Sequence, residues 1–221
     1  FFFPKRCLGC GRIGGFICEV CQEKLPYLEI QYCAVCNGAS VGGFTHERCR
    51  TIYTPDRFLS LFVYRGLAKK LIQEFKYAKV TALKNPITDL IIDFIRENNV
   101  NLGSEALITF VPSHPLKFLE RGFNQGQIIA EAVGSSLGLK ALSCLEKIEE
   151  TESQTKLSRE ERKENVKNSF GLLPDVESLV NGRDILLVDD VFTTGATLLE
   201  CSNVLKRAGV RFLYLLTLAK D

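Results

Sequence analysis

The sequence predicts an α/β protein, a parallel sheet flanked by helices, with a small metal-binding module ahead of it. Two observations carry this. From Phe58 to Leu218, apolar strand patterns alternate with helical ones, the rhythm of a parallel sheet whose ligands gather at the strands' carboxyl ends. Before residue 50 the chain instead concentrates seven of its nine cysteines.

Those cysteines form knuckles with two residues between ligands: Cys7 with Cys10, Cys18 with Cys21, and Cys33 with Cys36. His46 and Cys49 make a fourth of the same spacing. A tight turn of this length places both side chains on one tetrahedral ion, and zinc accepts four sulfurs or three sulfurs and an imidazole nitrogen. Sequential pairing gives Cys7, Cys10, Cys18 and Cys21 as one site and Cys33, Cys36, His46 and Cys49 as the other, a double zinc ribbon. If His46 is a surface-loop residue, the second site lacks its fourth protein ligand, so one or two zinc ions are expected. So small a module has little core, and the metal holds its fold.

At 221 residues the chain suits one ordinary domain plus this module. Thr54-Pro55-Asp56 marks the boundary, giving residues 1–55 and 56–221. A hydrophobic content of 46% is typical of soluble globular proteins, and no apolar run is long enough to span a bilayer. Phe1-Phe2-Phe3 is too short for a signal-peptide core. The absence of methionine points to a chain that begins inside its gene product or is processed. A formal charge of +2 does not by itself argue for nucleic acid. Metal-type rather than disulfide-type cysteine spacing makes a cytoplasmic location the expectation. Cys144 and Cys201 stand apart and read as small buried apolar residues.

Taken in order, Phe58 to Tyr64 reads as a strand and Leu67 to Tyr77 as an amphipathic helix. Ile87 to Arg96 is a second helix, and Ala106 to Val111 a buried strand broken by Pro112. Gln125 to Leu137 is a helix that stops at Gly138. Ala141 to Lys147, Asp184 to Val188 and Arg211 to Leu218 read as further strands. Glu150 to Asn168 is a polar insertion with Gln154, Lys156, Arg159, Arg162, Lys163 and Lys167, either a solvated loop or a lid.

The functional signal is Ile185-Leu-Leu-Val-Asp-Asp-Val-Phe-Thr-Thr-Gly-Ala-Thr197. A buried strand ends on two carboxylates, Asp189 and Asp190, and a small-residue loop then leads into a helix. Free N–H groups at that helix start, with the hydroxyls of Thr193, Thr194 and Thr197, form an anion site. Gly195 lets the backbone approach closely, and Ala196 completes the loop. The carboxylates can accept hydrogen bonds from vicinal hydroxyls, so a phosphate about one ribose away from a diol fits. Between Pro112 and Gln125, Ser113, His114, Lys117 and Arg121 are further donors, and arginine forks phosphate oxygens.

Residues 185–197 resemble the motif of type I phosphoribosyltransferases, which bind phosphoribosyl pyrophosphate (PRPP). The resemblance implies that Asp189 and Asp190 meet the ribose hydroxyls and that residues 193–197 hold the 5′-phosphate. It also implies that the loop with Ser113, His114 and Arg121 faces the pyrophosphate, and that the polar insertion closes over the ligand. With the cysteine knuckles, Glu74-Phe-Lys-Tyr77, Arg121-Gly-Phe-Asn-Gln125 and Gln154…Leu157…Arg162…Asn165 in this order, the whole chain resembles the ComF (competence protein F, ComFC-type) family. That family is implicated in DNA uptake during natural transformation, with competence-machinery proteins as expected partners.

Two functions follow as expectations. As an enzyme, the chain binds PRPP with Mg²⁺ bridging pyrophosphate and ribose hydroxyls. The C1–pyrophosphate bond then breaks through an oxocarbenium-like state, with Asp189, Asp190 and Arg121 as the candidate catalytic residues and no acceptor base evident. As a binding protein, the chain reuses the fold for single-stranded DNA. Basic residues interleave with aromatics at Lys69-Lys70…Phe75-Lys76-Tyr77 and Lys117-Phe118…Arg121…Phe123, although the first stretch also reads as an amphipathic helix with its rings in the core.

Overall fold

A computed structural model describes residues 4–77, 80–113, 115–148 and 166–221. The N-terminal segment has one short helix, α1 (Glu19–Gln22), and two 3₁₀ turns, Val41–Gly43 and Glu47–Cys49. It leads into β1 (Arg57–Val63), α2 (Gly66–Tyr77) and α3 (Val80–Glu97). Next come β2 (Leu107–Phe110), α4 (Pro115–Arg121), α5 (Gln125–Leu137) and β3 (Lys140–Ala141). A short antiparallel pair, β4 (Leu145–Lys147) with β5 (Phe170–Leu172), and α6 (Glu177–Val180) follow. The chain closes with β6 (Asp184–Phe192), α7 (Ala196–Arg207) and β7 (Phe212–Lys220).

The main sheet is fully parallel in the order β1-β7-β6-β2-β3. Its central strands are apolar on both faces, as a sheet covered twice requires. Leu186 and Val188 join the layer under α2, α3 and α5, while Ile185 and Leu187 join the layer under α7. Parallel strands with crossover helices confirm the α/β class.

The topology places a crevice between β6 and β2. From β2 the chain passes through α5 to β3 on one side, and from β6 through α7 to β7 on the other. Ile129, Ala130 and Val133 of α5 pack in one layer and Leu198, Cys201 and Leu205 of α7 in the opposite one. Neighbouring strands whose connections part in this way open a ligand crevice at their carboxyl ends. The loop after β2 therefore lies beside the loop after β6 because these strands pair in space, with Val111 N–H donating to Val188 O at 3.0 Å. They are not sequential strands.

Four elements differ from the sequence reading. The second helix begins at Val80, ahead of Pro86, because burial of Leu83, Ile87 and Ile91 outweighs the missing proline N–H. The strand expected over 141–147 splits, since Lys140–Ala141 pairs with β2 and Leu145–Lys147 with β5. Residues 115–121 form a helix rather than a continuous loop. The motif strand runs on to Phe192, so both acids lie within it.

The N-terminal segment covers the open edge of the sheet. Val63 N–H donates to Pro26 O and Leu28 N–H to Leu61 O, each at 2.8 Å. The buried amide of Gln31 imitates a strand residue, donating from Nε2 to Ser60 O at 3.1 Å and accepting from Ser60 N–H at 2.9 Å. At Gly43, φ is +79° and a Cβ would lie 1.9 Å from Phe58 O, so only glycine permits this approach. Leu8 and Leu25 reach one core layer and Ala34 the other, so the module straddles β1.

Candidate functional site

The site begins where the apolar run Ile185 to Val188 of β6 gives way to Asp189 and Asp190. Asp190 turns toward α2, its Oδ2 2.7 Å from Lys76 Nζ. Asp189 Oδ1 accepts the Asp190 backbone N–H at 2.8 Å, which fixes the first carboxylate against its own strand. Consecutive strand residues face opposite ways, and Asp189 lies close enough to α7 for its charge to help raise the Cys201 thiol, chiefly pushed up by burial.

The loop 193–195 then turns sharply into α7. Gly195 has φ +77° and caps the helix, and a Cβ there would lie 2.4 Å from the Phe192 ring. Thr194 Oγ1 accepts the Ala196 N–H at 3.3 Å. The first-turn N–H groups of Thr197 and Leu198 have no intrahelical acceptor. Thr193 is exposed and Thr194, Ala196 and Thr197 are half-buried, so the loop opens to solvent.

The other wall comes from the segment after β2. Asn124 caps α5, accepting Gln127 N–H at 3.3 Å, and its Nδ2 donates to Val111 O at 2.9 Å. A Cβ on Gly126 would meet Val188 O at 3.3 Å, so α5 starts against the motif strand. Arg121 Nη1 donates to Gln125 Oε1, and Gln125 Nε2 donates to Lys76 O, both at 3.2 Å. Arg121, Gln125, Lys76 and Asp190 thus form one chain of contacts across the crevice. Ser113 is half-buried at the end of β2. His114, the side chain of Lys117, and Gln154, Lys156, Leu157, Arg159, Arg162, Lys163 and Asn165 of the polar insertion lie outside the described residues.

The eight predicted metal ligands come together in two groups, Cys7, Cys10, Cys18 and Cys21, and Cys33, Cys36, His46 and Cys49. Within each, the ligand atoms all lie within 4.8 Å of one another. Cys18 Sγ lies 3.7 Å from both Cys7 Sγ and Cys10 Sγ, and a tetrahedron with Zn–S bonds of about 2.3 Å has edges close to this. In the second group, His46 Nδ1 is 3.3 Å from Cys36 Sγ while Nε2 lies 3.0 Å from Ala39 O. A carbonyl on Nε2 fixes its proton there and leaves Nδ1 as the ligand atom. Although burial opposes it, backbone N–H groups hold the Cys7 thiol down to about 6, favouring the thiolate that zinc needs. The donor set fits zinc.

The model of the double zinc ribbon domain family matches residues 1–52. Over 232 aligned residues the chain is 28% identical to competence protein F of Haemophilus influenzae, covering 99% of this chain and 98% of that protein. It is 27% identical to the DNA utilization protein YhgH of Salmonella typhi, across 87% of this chain and 85% of the relative. The chain is thus similar along its whole length to a competence protein F, with a double zinc ribbon at its N-terminus. Among solved structures, it is similar at a TM-score of 0.43 and 17% identity to glutamine phosphoribosylpyrophosphate amidotransferase from B. subtilis. That overlap covers 66% of this chain and only 30% of the enzyme, and it carries no weight beside the residues of the site.

The structure brings the predicted acids, threonine loop and Arg121 to one end of the sheet, and adds Lys76 and Gln125, which the sequence reading did not place there. The available signal was the pair of short motifs that contain them, Glu74-Phe-Lys-Tyr77 and Arg121-Gly-Phe-Asn-Gln125. Among the described residues no helix is long and apolar enough to cross a membrane.

Proposed function

We propose that this chain is a ComF-family protein that binds PRPP, or a related phosphoribosyl ligand, in the crevice between β6 and β2, and serves DNA uptake during natural transformation. One observation carries the ligand: two adjacent carboxylates lead directly into a glycine-turned loop and a helix start, at the point where the sheet's connections part. In this reading the Thr193–Thr197 loop takes the 5′-phosphate, Asp189 and Asp190 take the ribose hydroxyls, and Ser113, His114 and Arg121 face the pyrophosphate. Mg²⁺ enters with the ligand, whose oxygens supply its hard coordination shell. The division into a metal-folded module (1–55) and an α/β body (56–221) belongs to the same reading. So do zinc bound by the eight ligands and a cytoplasmic location, where thiolates stay reduced.

The role in DNA uptake draws on the names of the relatives, competence protein F and DNA utilization protein. Single-stranded DNA is the second reading, favoured by Phe118, 47% exposed on α4 close to Arg121, a ring available for stacking. The stretch 69–77 supports it less. Phe75 is buried, Lys70 Nζ donates to Leu8 O, and Lys76 pairs with Asp190.

Calorimetric titration of PRPP with Mg²⁺ tests the reading. Charge-assisted hydrogen bonds contribute about 1.5–3 kcal/mol each, so Asp189→Asn with Asp190→Asn is expected to weaken binding by roughly two orders of magnitude or more. Undiminished affinity in that variant would show that the acids do not hold the ligand. Titrating the same variant with single-stranded DNA across salt separates the second reading, because a strand-binding surface elsewhere survives the change.

A further inference from the structure

We propose that Lys76 belongs to the ligand site and selects ligands that carry a second phosphate group beyond the ribose 5-phosphate. This rests on the phosphoribosyl reading of Asp189 and Asp190. Lys76 lies one residue before the end of α2, and its ammonium is 2.7 Å from Asp190 Oδ2. Both side chains are largely shielded, 17% and 19% exposed. A ribose diol that binds Asp190 competes for the carboxylate that the ammonium already holds.

The competition has a simple resolution. A shielded ammonium that gives up its carboxylate needs another anion, and a diphosphate on the same ligand supplies one. Lysine suits the exchange, being a point charge on a flexible four-carbon stem. Its position favours the diphosphate over the 5′-phosphate. Gln125 ties the Lys76 carbonyl to Arg121, on the wall that follows β2, whereas the 5′-phosphate cradle at 193–197 follows β6. A ligand with only a 5′-phosphate takes Asp190 from Lys76 and offers no anion in return. Lys76 therefore acts as a specificity residue, and Gln125 positions it.

The test compares PRPP and ribose 5-phosphate, each with Mg²⁺, on the full chain as wild type, Lys76→Gln and Lys76→Arg. The quantity read is the ratio of the two affinities, which a reduced folded fraction does not alter. Wild type is expected to prefer PRPP. In Lys76→Gln, PRPP binding should weaken about 10- to 100-fold, while ribose 5-phosphate holds or tightens because Asp190 is released. Lys76→Arg should recover part of the preference. An unchanged ratio in Lys76→Gln, whether both ligands weaken equally or neither does, would overturn the proposal, and equal losses would make Lys76 a strut only. If wild type binds neither ligand, the phosphoribosyl reading falls and this inference with it. Failure in Lys76→Gln alone leaves that reading standing.

Discussion

Cys144 and Cys201 are the two cysteines outside the metal groups, and burial sets their chemistry. Neither exposes any surface. Burial raises both thiols above the ordinary 9.0, Cys201 well above it. The thiolate is the nucleophile, so neither should react with iodoacetamide at pH 8 in the native zinc-loaded chain, and both should label once it unfolds. Native labelling followed by mass spectrometry checks this, and rapid modification of Cys201 would contradict it. The sign for stability follows from the same shift. A folded thiol that binds its proton more tightly than the unfolded one contributes fully below 9.0, and that contribution falls as pH rises past it. At this scale the sequence spoke clearly where chemistry is local. Asp189 and Asp190 are adjacent and follow an apolar strand, so their place at the end of a buried apolar run was legible. Lys76 meets Asp190 only because α2 and β6 end near each other, a contact that the short motif containing Lys76 does not itself specify.

Elements were legible where both of their ends carry local signals. α5 runs from Gln125 to Leu137 as read, because Asn124 caps it and Gly138 stops it in the left-handed region at φ +69°. The stretch 141–147 was misread because its halves pair with different partners, β3 with β2 and β4 with β5, and hydrogen bonding at that range leaves no trace in periodicity. The loop at Gly195 was legible as a tight turn into a helix, and the structure adds why it must be glycine. Its φ is +77°, and the Phe192 ring fills the space that a side chain needs. Phe192 is held in turn, 4.3 Å from Phe58 between ring centroids. Gly195→Ala is therefore expected to cost about 1–3 kcal/mol in strain and to displace the loop, so that PRPP binding falls further than stability does. Chemical denaturation beside calorimetry separates the two effects. Normal binding in a destabilised variant would mean that the loop tolerates the change without losing its cradle.

For the whole molecule, the metal module and the sheet are parts of one construction, a relation that knuckle spacing does not reveal. From sequence alone, residues 7–49 read as a unit whose fold the metal holds. In the structure that unit shields β1, the edge strand, through the backbone at Pro26 and Leu28 and the amide of Gln31, and it adds Leu8, Leu25 and Ala34 to the two core layers. An apolar edge strand left bare is a template for pairing with another chain. Elemental analysis of the purified protein should find two zinc ions per chain, one for each four-ligand group. Strong chelation should then unfold the module and, through it, expose Phe58 to Phe62. The expected result is concentration-dependent association of chelated protein in sedimentation, with most of the sheet's circular dichroism retained and amide exchange rising first along β1. Cys33→Ser should do the same in part, because its site lies next to Ala34, which packs in the layer that holds Phe58. A chelated chain that stays monomeric with β1 amides still protected would mean that the module holds its place on the edge strand without metal, and that zinc serves only the knuckles themselves.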